Sequence, residues 1–170
     1  MSESDVVATL KKSVERGLRY LEVVGDSSNP KIGIWTSREV LCHLIYWHRA
    51  TAEGMESVSS GGDPLTIYAS TDEMNARAIG RVAGVDMKSL MTEARELQAR
   101  LVIAFENLVD TSAIVMVRQD VGRQSAKDRL AMMAHHWTAH VDELENATQD
   151  SGLSESDMSS GKLYDTSPPN

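Results

Sequence analysis

The sequence predicts an all-α fold: an antiparallel four-helix bundle with a short extra helix between the second and third long helices. Three observations lead there. Four segments of about 20 residues each repeat apolar side chains at three- and four-residue steps, the period of an amphipathic helix. The four prolines, Pro30, Pro64, Pro168 and Pro169, all fall outside those segments, so nothing interrupts a long helix. Only one stretch, SAIVMVRQDVG, is β-branched enough to suggest a strand, whereas a mixed α/β fold would need several.

The first helix is expected from Ser4 to about Val24, with Val6, Leu10, Val14, Leu18 and Leu21 on one face. The segment GDSSNPKIGIW then reads as a loop, because Gly25, Asn29, Pro30 and Gly33 break regular structure. A second helix begins at Thr36 or Ser37. Thr36 followed three residues later by Glu39 has the form of a capping box, which satisfies amide donors left open at a helix start. Its apolar positions include Val40, Leu41, Leu44, Ile45, Ala52 and Met55, and it stops before the loop signal SSGGDP. A short helix follows from Thr71 to about Val82. Beyond Gly84 the third long helix runs from Asp86 to Val109, with Leu90, Ala94, Leu97, Leu101, Ala104, Phe105 and Leu108 in one stripe. SAIVMVRQDVG is expected to be an extended connection or a short strand. The fourth long helix spans Ser125 to Ala147, with Ser125 as N-cap and Asp128 in its first turn. Residues 1–149 thus form one domain, and residues 150–170, rich in Ser, Asp and Gly, read as a disordered tail.

Composition narrows the function. At 170 residues, 41% hydrophobic and 25% charged, the chain has the balance of a folded domain with one core. A formal net charge of −8, with no basic stripe, disfavours nucleic acid as a partner. No apolar run approaches membrane-spanning length, and MSESDVVATLKK lacks a secretory apolar core. The single cysteine, Cys42, excludes an internal disulfide framework and suits a reducing cytoplasm, the expected location.

All five histidines lie in two segments, LCHLIYWH on the second helix and MAHHWTAH on the fourth. His136 and His140 are four apart, about 40° from each other on one helical face, and so can ligate one ion. Neutral imidazole is the commonest protein ligand for zinc and related metals. On the fourth helix the stripe Leu130, Met133, Ala134, Trp137, Val141 and Leu144 points at the core. His140 lies about 70° from its centre and His136 about 110°, on the same side. His43 is about 110° from the stripe of its own helix, one turn below Trp47. All three flank a core face without occupying its middle, as a half-open metal site would. His48 lies near the centre of its stripe and reads as a buried core histidine or an alternative ligand. His135 faces solvent. Trp47 and Trp137 read as core or pocket wall, Trp35 as a plug at the helix start, and the methionines as filler. Glu143, one turn past His140, is a partner for a ligand imidazole, a general base, or a solvated charge at a helix end.

These residues together resemble the DinB-like superfamily, which includes the mycothiol-dependent maleylpyruvate isomerases. The resemblance rests on WTSREVLCHLIYWHRA, with His43 in the family's histidine position, and on SAKDRLAMMAHHWTAHVDEL, with His136 and His140 in its histidine motif. DEMNARAI, centred on Asn75, looks like the family's short intermediate helix. The ordered set covers residues 5 to 147. The resemblance implies a divalent metal, zinc or nickel, held by His43, His136 and His140, with open positions for water or substrate. It also implies a low-molecular-weight thiol whose sulfur is activated on the metal. Two departures count against carrying over the isomerase reaction itself. A glutamate often stands at the position of His136, and the isomerases carry a further C-terminal domain with no counterpart here. No cationic pocket for an acidic substrate is evident in the sequence.

The first functional expectation is therefore a metal-dependent, thiol-using S-transferase or isomerase acting on a small electrophile, with Glu143 as its catalytic candidate. The second is a non-catalytic protective bundle that sequesters a small molecule. The third is a structural homodimer, paired through exposed helix faces, in which the histidines only satisfy polar needs of the core.

Overall fold

The computed structural model describes residues 2–24, 31–33, 35–81 and 84–150. Beyond residue 150, the segment expected to be a disordered tail lies outside the described residues. The chain is mostly helical, with helices α1 (Glu3–Val24), α2 (Ser37–Ser59), α3 (Thr71–Arg81), α4 (Met87–Glu106) and α5 (Ala126–Asp150).

Each helix starts where a side chain closes the open amides. Thr36 Oγ1 accepts from Glu39 N, and the Thr36 amide donates to Glu39 Oε2 at 2.8 Å, the capping box expected for α2. Ser125 Oγ accepts from Asp128 N at 3.1 Å at the head of α5. Asp86 caps α4 through Ser89 N, and Ser70 with Glu73 forms a second reciprocal box at α3. A cap of this kind is worth about 1 kcal/mol, and the cap at Thr36 sets the register two turns before His43.

The four long helices enclose one core. α1 packs on α5 and α4, and α2 packs on α4 and α5. The face of α1 that supplies Val6, Leu10, Val14, Leu18 and Leu21 is fully withdrawn from water, as are Leu90 and Leu101 of α4 and Leu130, Trp137 and Leu144 of α5. Each such leucine contributes about 2 kcal/mol of apolar transfer. α1 and α5 approach closely because Gly17 has no side chain: a Cβ there would stand 2.6 Å from the Trp137 ring. Their outer edges are tied by Arg16 to Asp142 and Glu145, and by the Tyr20 hydroxyl to Thr148.

The fold departs from the all-α expectation in carrying two small sheets. β1 (Lys31–Ile32) and β2 (Trp35–Thr36) pair antiparallel within the segment read as a loop. SAIVMVRQDVG is more than an extended connection. Its residues form β4 (Ile114–Arg118) and, with the next three, β5 (Gly122–Ser125), an antiparallel hairpin. β3 (Leu65–Ile67), just after Pro64, adds in parallel to β4, with Leu65 opposite Met116. A parallel pair needs a long crossover, and α3 and α4 supply it. Val115 and Met116 are fully buried, and β4 lies so close to α2 that a Cβ on Gly54 would meet the Val115 carbonyl oxygen at 2.3 Å. This hairpin brings Arg118 over Trp47, in the middle of α2, and Gln124 beside Arg129 at the start of α5.

Candidate metal centre

α2 and α5 meet at the histidines. His43 Nε2 lies 2.8 Å from His136 Nε2, and His140 Nε2 lies 3.0 Å from the same atom. All three ligand-capable nitrogens lie within 4.8 Å of one another. His43 is buried, whereas His136 and His140 are half-buried. Trp35 packs on the His43 ring with centroids 5.1 Å apart, and Trp47 meets it edge-on at 6.4 Å. Trp35 thus walls the histidines as well as closing the start of α2.

The surroundings keep two of the imidazoles neutral. Burial pushes His43 down from 6.5 to about 4, helped by the neighbouring His140 charge and opposed by hydrogen bonding with Asn75. Burial drives His136 down to about 2, with His43, His140 and Arg129 adding repulsion. Both therefore offer lone pairs at neutral pH. Glu143, though exposed, accepts from His140 Nδ1 at 2.9 Å, which orients the ring with Nε2 toward the other two histidines. If His43 presents a bare Nε2, its proton sits on Nδ1. That buried atom closes no hydrogen bond of good geometry, and neither does the buried Asn75 Oδ1, the acceptor it would use.

With the ring protons on Nδ1, three Nε2 lone pairs this close repel one another unless a cation sits between them. Tetrahedral ligation at metal–nitrogen distances of about 2.0–2.1 Å spaces the nitrogens about 3.3 Å apart. The 2.8 and 3.0 Å separations need to open by only a few tenths of an ångström. Three imidazole ligands suit zinc or nickel, and no carboxylate joins this group of ligand atoms among the described residues.

The other histidines are elsewhere. His48 is buried in the core, where Nδ1 accepts from Trp137 Nε1 at 3.1 Å and Nε2 lies 3.2 Å from Gln98 Oε1. This ties α2, α4 and α5 together and is the core role expected for it. His135 is exposed. A cavity of about 540 Å³ opens between α2, β3 and α3, lined by Tyr46, Arg49, Glu53, Tyr68, Glu73 and Arg77, and includes none of the three histidines.

Two features went unread in the sequence. Asn75 stands beside His43. Arg118 and Arg129 are both buried, with guanidinium carbons 4.6 and 5.5 Å from the Trp47 ring centre. Two buried cations thus stand on the tryptophan that touches His43. A signal was available: Arg129 lies about 90° from the centre of the apolar stripe, on the flank that carries His136 and His140.

No protein-family model matches the chain, and no curated protein matches it significantly. Among solved structures, the mycothiol-dependent maleylpyruvate isomerase superposes over 85% of this chain with a TM-score of 0.71 and 18% identity. The fold is that of the maleylpyruvate isomerase. A histidine-to-alanine mutant of that isomerase matches with the same TM-score at 17% identity. The matched region spans 61% of the length of the isomerase chains. The likeness to the maleylpyruvate isomerase thus holds at the level of the fold.

Proposed function

We propose that residues 1–149 form a DinB-like antiparallel four-helix bundle domain that binds one divalent ion, zinc or nickel, through His43, His136 and His140. The domain uses that site for thiol-dependent transfer to, or isomerisation of, a small electrophile. The observation that carries this reading is the convergence of the three Nε2 atoms, two of them on imidazoles kept neutral by burial. When bound, the ion supplies Lewis acidity that favours the thiolate of a low-molecular-weight thiol near neutral pH.

The protein's own groups do the rest. His43, fixed by the α2 cap and walled by Trp35 and Trp47, and the two α5 histidines hold a rigid trigonal face. Of the roles open to Glu143, its bond to His140 Nδ1 favours orienting that imidazole. The tryptophan wall keeps water from one side and offers an apolar surface to the electrophile. We place the protein in the cytoplasm as a homodimer acting on a small molecule, with neither nucleic acid nor membrane as partner. No described helix is long and apolar enough to cross a membrane.

The test is elemental analysis of untagged protein, wild type against His43→Ala and His136→Ala, followed by turnover assays with thiols and electrophiles. About one zinc or nickel per chain, lost in both variants, and catalytic turnover are expected. Wild-type protein that takes up no divalent ion would sink the metal reading. The absence of a carboxylate from the ligand group favours a second reading, a bundle that captures a reactive molecule without turning it over. Stoichiometric protection with no turnover in metal-loaded protein would select it.

A further inference from the structure

Arg129 is 1% exposed, yet among the described residues no carboxylate meets it. Its Nη2 donates to Thr51 Oγ1 at 2.6 Å and lies 3.5 Å from the Met133 thioether. Nη1 reaches Gln124 Oε1 only at 3.4 Å and the Met132 thioether at 3.3 Å, and Nε has no acceptor. Thioether sulfur is a weak acceptor. The chain carries 25 acidic residues against 17 basic, so carboxylates are not scarce; none is placed here. Arg118, 8% exposed, shares the Trp47 ring but binds Asp120 through both Nε and Nη2. Two buried guanidinium groups therefore share one carboxylate, and a buried charge without a counter-charge is costly.

The position of Arg129 says what could complete it. Arg129, Met132, His136 and His140 follow one another at spacings of three and four along one face of α5. The helical rise places Arg129 about 10 Å along the axis from His136. Its charge is felt at His136 and at His48, and Trp47 touches both its guanidinium and the His43 ring. Met132, the side chain against Nη1, is 38% exposed. It is flexible and bonds weakly, so it can be displaced from the solvent side.

We propose that Arg129 anchors an anion subsite continuous with the histidine centre, which takes a carboxylate of a small ligand in place of the Met132 thioether. The carboxylate accepts from Nη1, while the rest of the ligand runs along Trp47 toward His136. It belongs either to the thiol or to the electrophile. This deepens the function proposed above, but anion binding at Arg129 does not itself require the metal.

The experiment uses the intact, metal-free protein, titrated calorimetrically with succinate, dimethyl succinate, N-acetylcysteine and N-acetylcysteine amide, while the Arg129 Nε–H resonance is followed. At least one acid should bind saturably, at least tenfold tighter than its neutral analogue, and shift that resonance. Preference for succinate assigns the carboxylate to the electrophile, and preference for N-acetylcysteine assigns it to the thiol. Arg129→Met should abolish the acid preference. Because that variant could fail to fold, Met132→Glu serves as a second test, tethering a carboxylate beside Nη1. It should fold with a raised Tm and lose acid binding at least tenfold. The proposal is overturned if no acid binds saturably, or if Met132→Glu binds acids as wild type does. Acid binding by a chain that takes up no zinc would refute the metal centre alone, and zinc uptake without acid preference would refute the subsite alone.

Discussion

Lowering the pH from 7 to 5 should destabilise the metal-free protein, and His48 isolates one share of the loss. This side chain is 1% exposed, bonded to Trp137 and Gln98. Burial pushes its pKa from 6.5 to about 4, with Gln98 and the Leu44 backbone opposing the fall and the Arg129 charge adding slightly to it. The folded-state value lies below the unfolded one, so the unfolded chain binds the proton first. The contribution of neutral His48 is complete above pH 6.5 and is lost as the pH falls toward 4. Between pH 7 and 5 the loss is about 2 kcal/mol, and carried through pH 4 it approaches about 3 kcal/mol. His43 and His136, with pKa values of about 4 and about 2, act in the same direction. Treated independently, the three together withdraw about 6 kcal/mol by pH 5, comparable to the whole stability of a small domain. Urea unfolding of wild type and His48→Gln at pH 7 and pH 5 measures this. The variant starts less stable but should lose about 2 kcal/mol less over the interval. An equal pH dependence in the two proteins would refute the assignment, because then no proton uptake on unfolding belongs to His48.

Gly54→Ala should cost about 3 kcal/mol in thermal unfolding, since the new methyl meets the Val115 carbonyl, backbone that cannot swing aside. Gly17→Ala should cost about 1–3 kcal/mol despite the better helix propensity of alanine, because the Trp137 ring it strikes is held by His48. Thr36→Ala should remove about 1 kcal/mol by opening the α2 cap and, by loosening the turns before His43, should also weaken zinc binding in a competition titration. Glu143→Gln should lower zinc affinity by about 10–100-fold with little change in the melting temperature of the metal-free protein. An unchanged affinity would mean that the bond to His140 does not orient the ring.

The helices were legible because their signals are local. The apolar faces of α1, α4 and α5 follow the helical period, and the caps at Thr36 and Ser125 stand in the sequence as they stand in the structure. Ser70 with Glu73 has the same signature and was passed over. The sheet was not legible as a sheet. Leu65–Ile67 is too short to show alternation, and its partner strand lies about 50 residues away, where no local pattern reaches. The same division runs through the site. The pairing of His136 with His140 follows from helix geometry, whereas the approach of His43 depends on how α2 lies against α5. Arg129 shares a helix flank with the two histidines, which the sequence shows, but its burial depends on Thr51 of α2 and Gln124 of β5, which reach it from distant and separate elements. Asn75 carried no mark of its own beyond its place in the short helix.

The pairing of α1 with α5 has a consequence for the order in which the chain assembles. Arg16 meets Glu145 across 129 positions, and Tyr20 meets Leu144 across 124. During synthesis α1 leaves the ribosome long before its principal partner exists, and α2 waits almost as long for the other half of the histidine cluster. Joining α1 to α5 closes a loop of more than a hundred residues, an entropic cost that their contacts must offset. In the interval the apolar stripes of α1 and α2 are uncovered, the period in which such chains aggregate or need a chaperone. The histidine cluster cannot close until α5 has been made, so an ion held by all three ligands meets a chain in which every helix already exists.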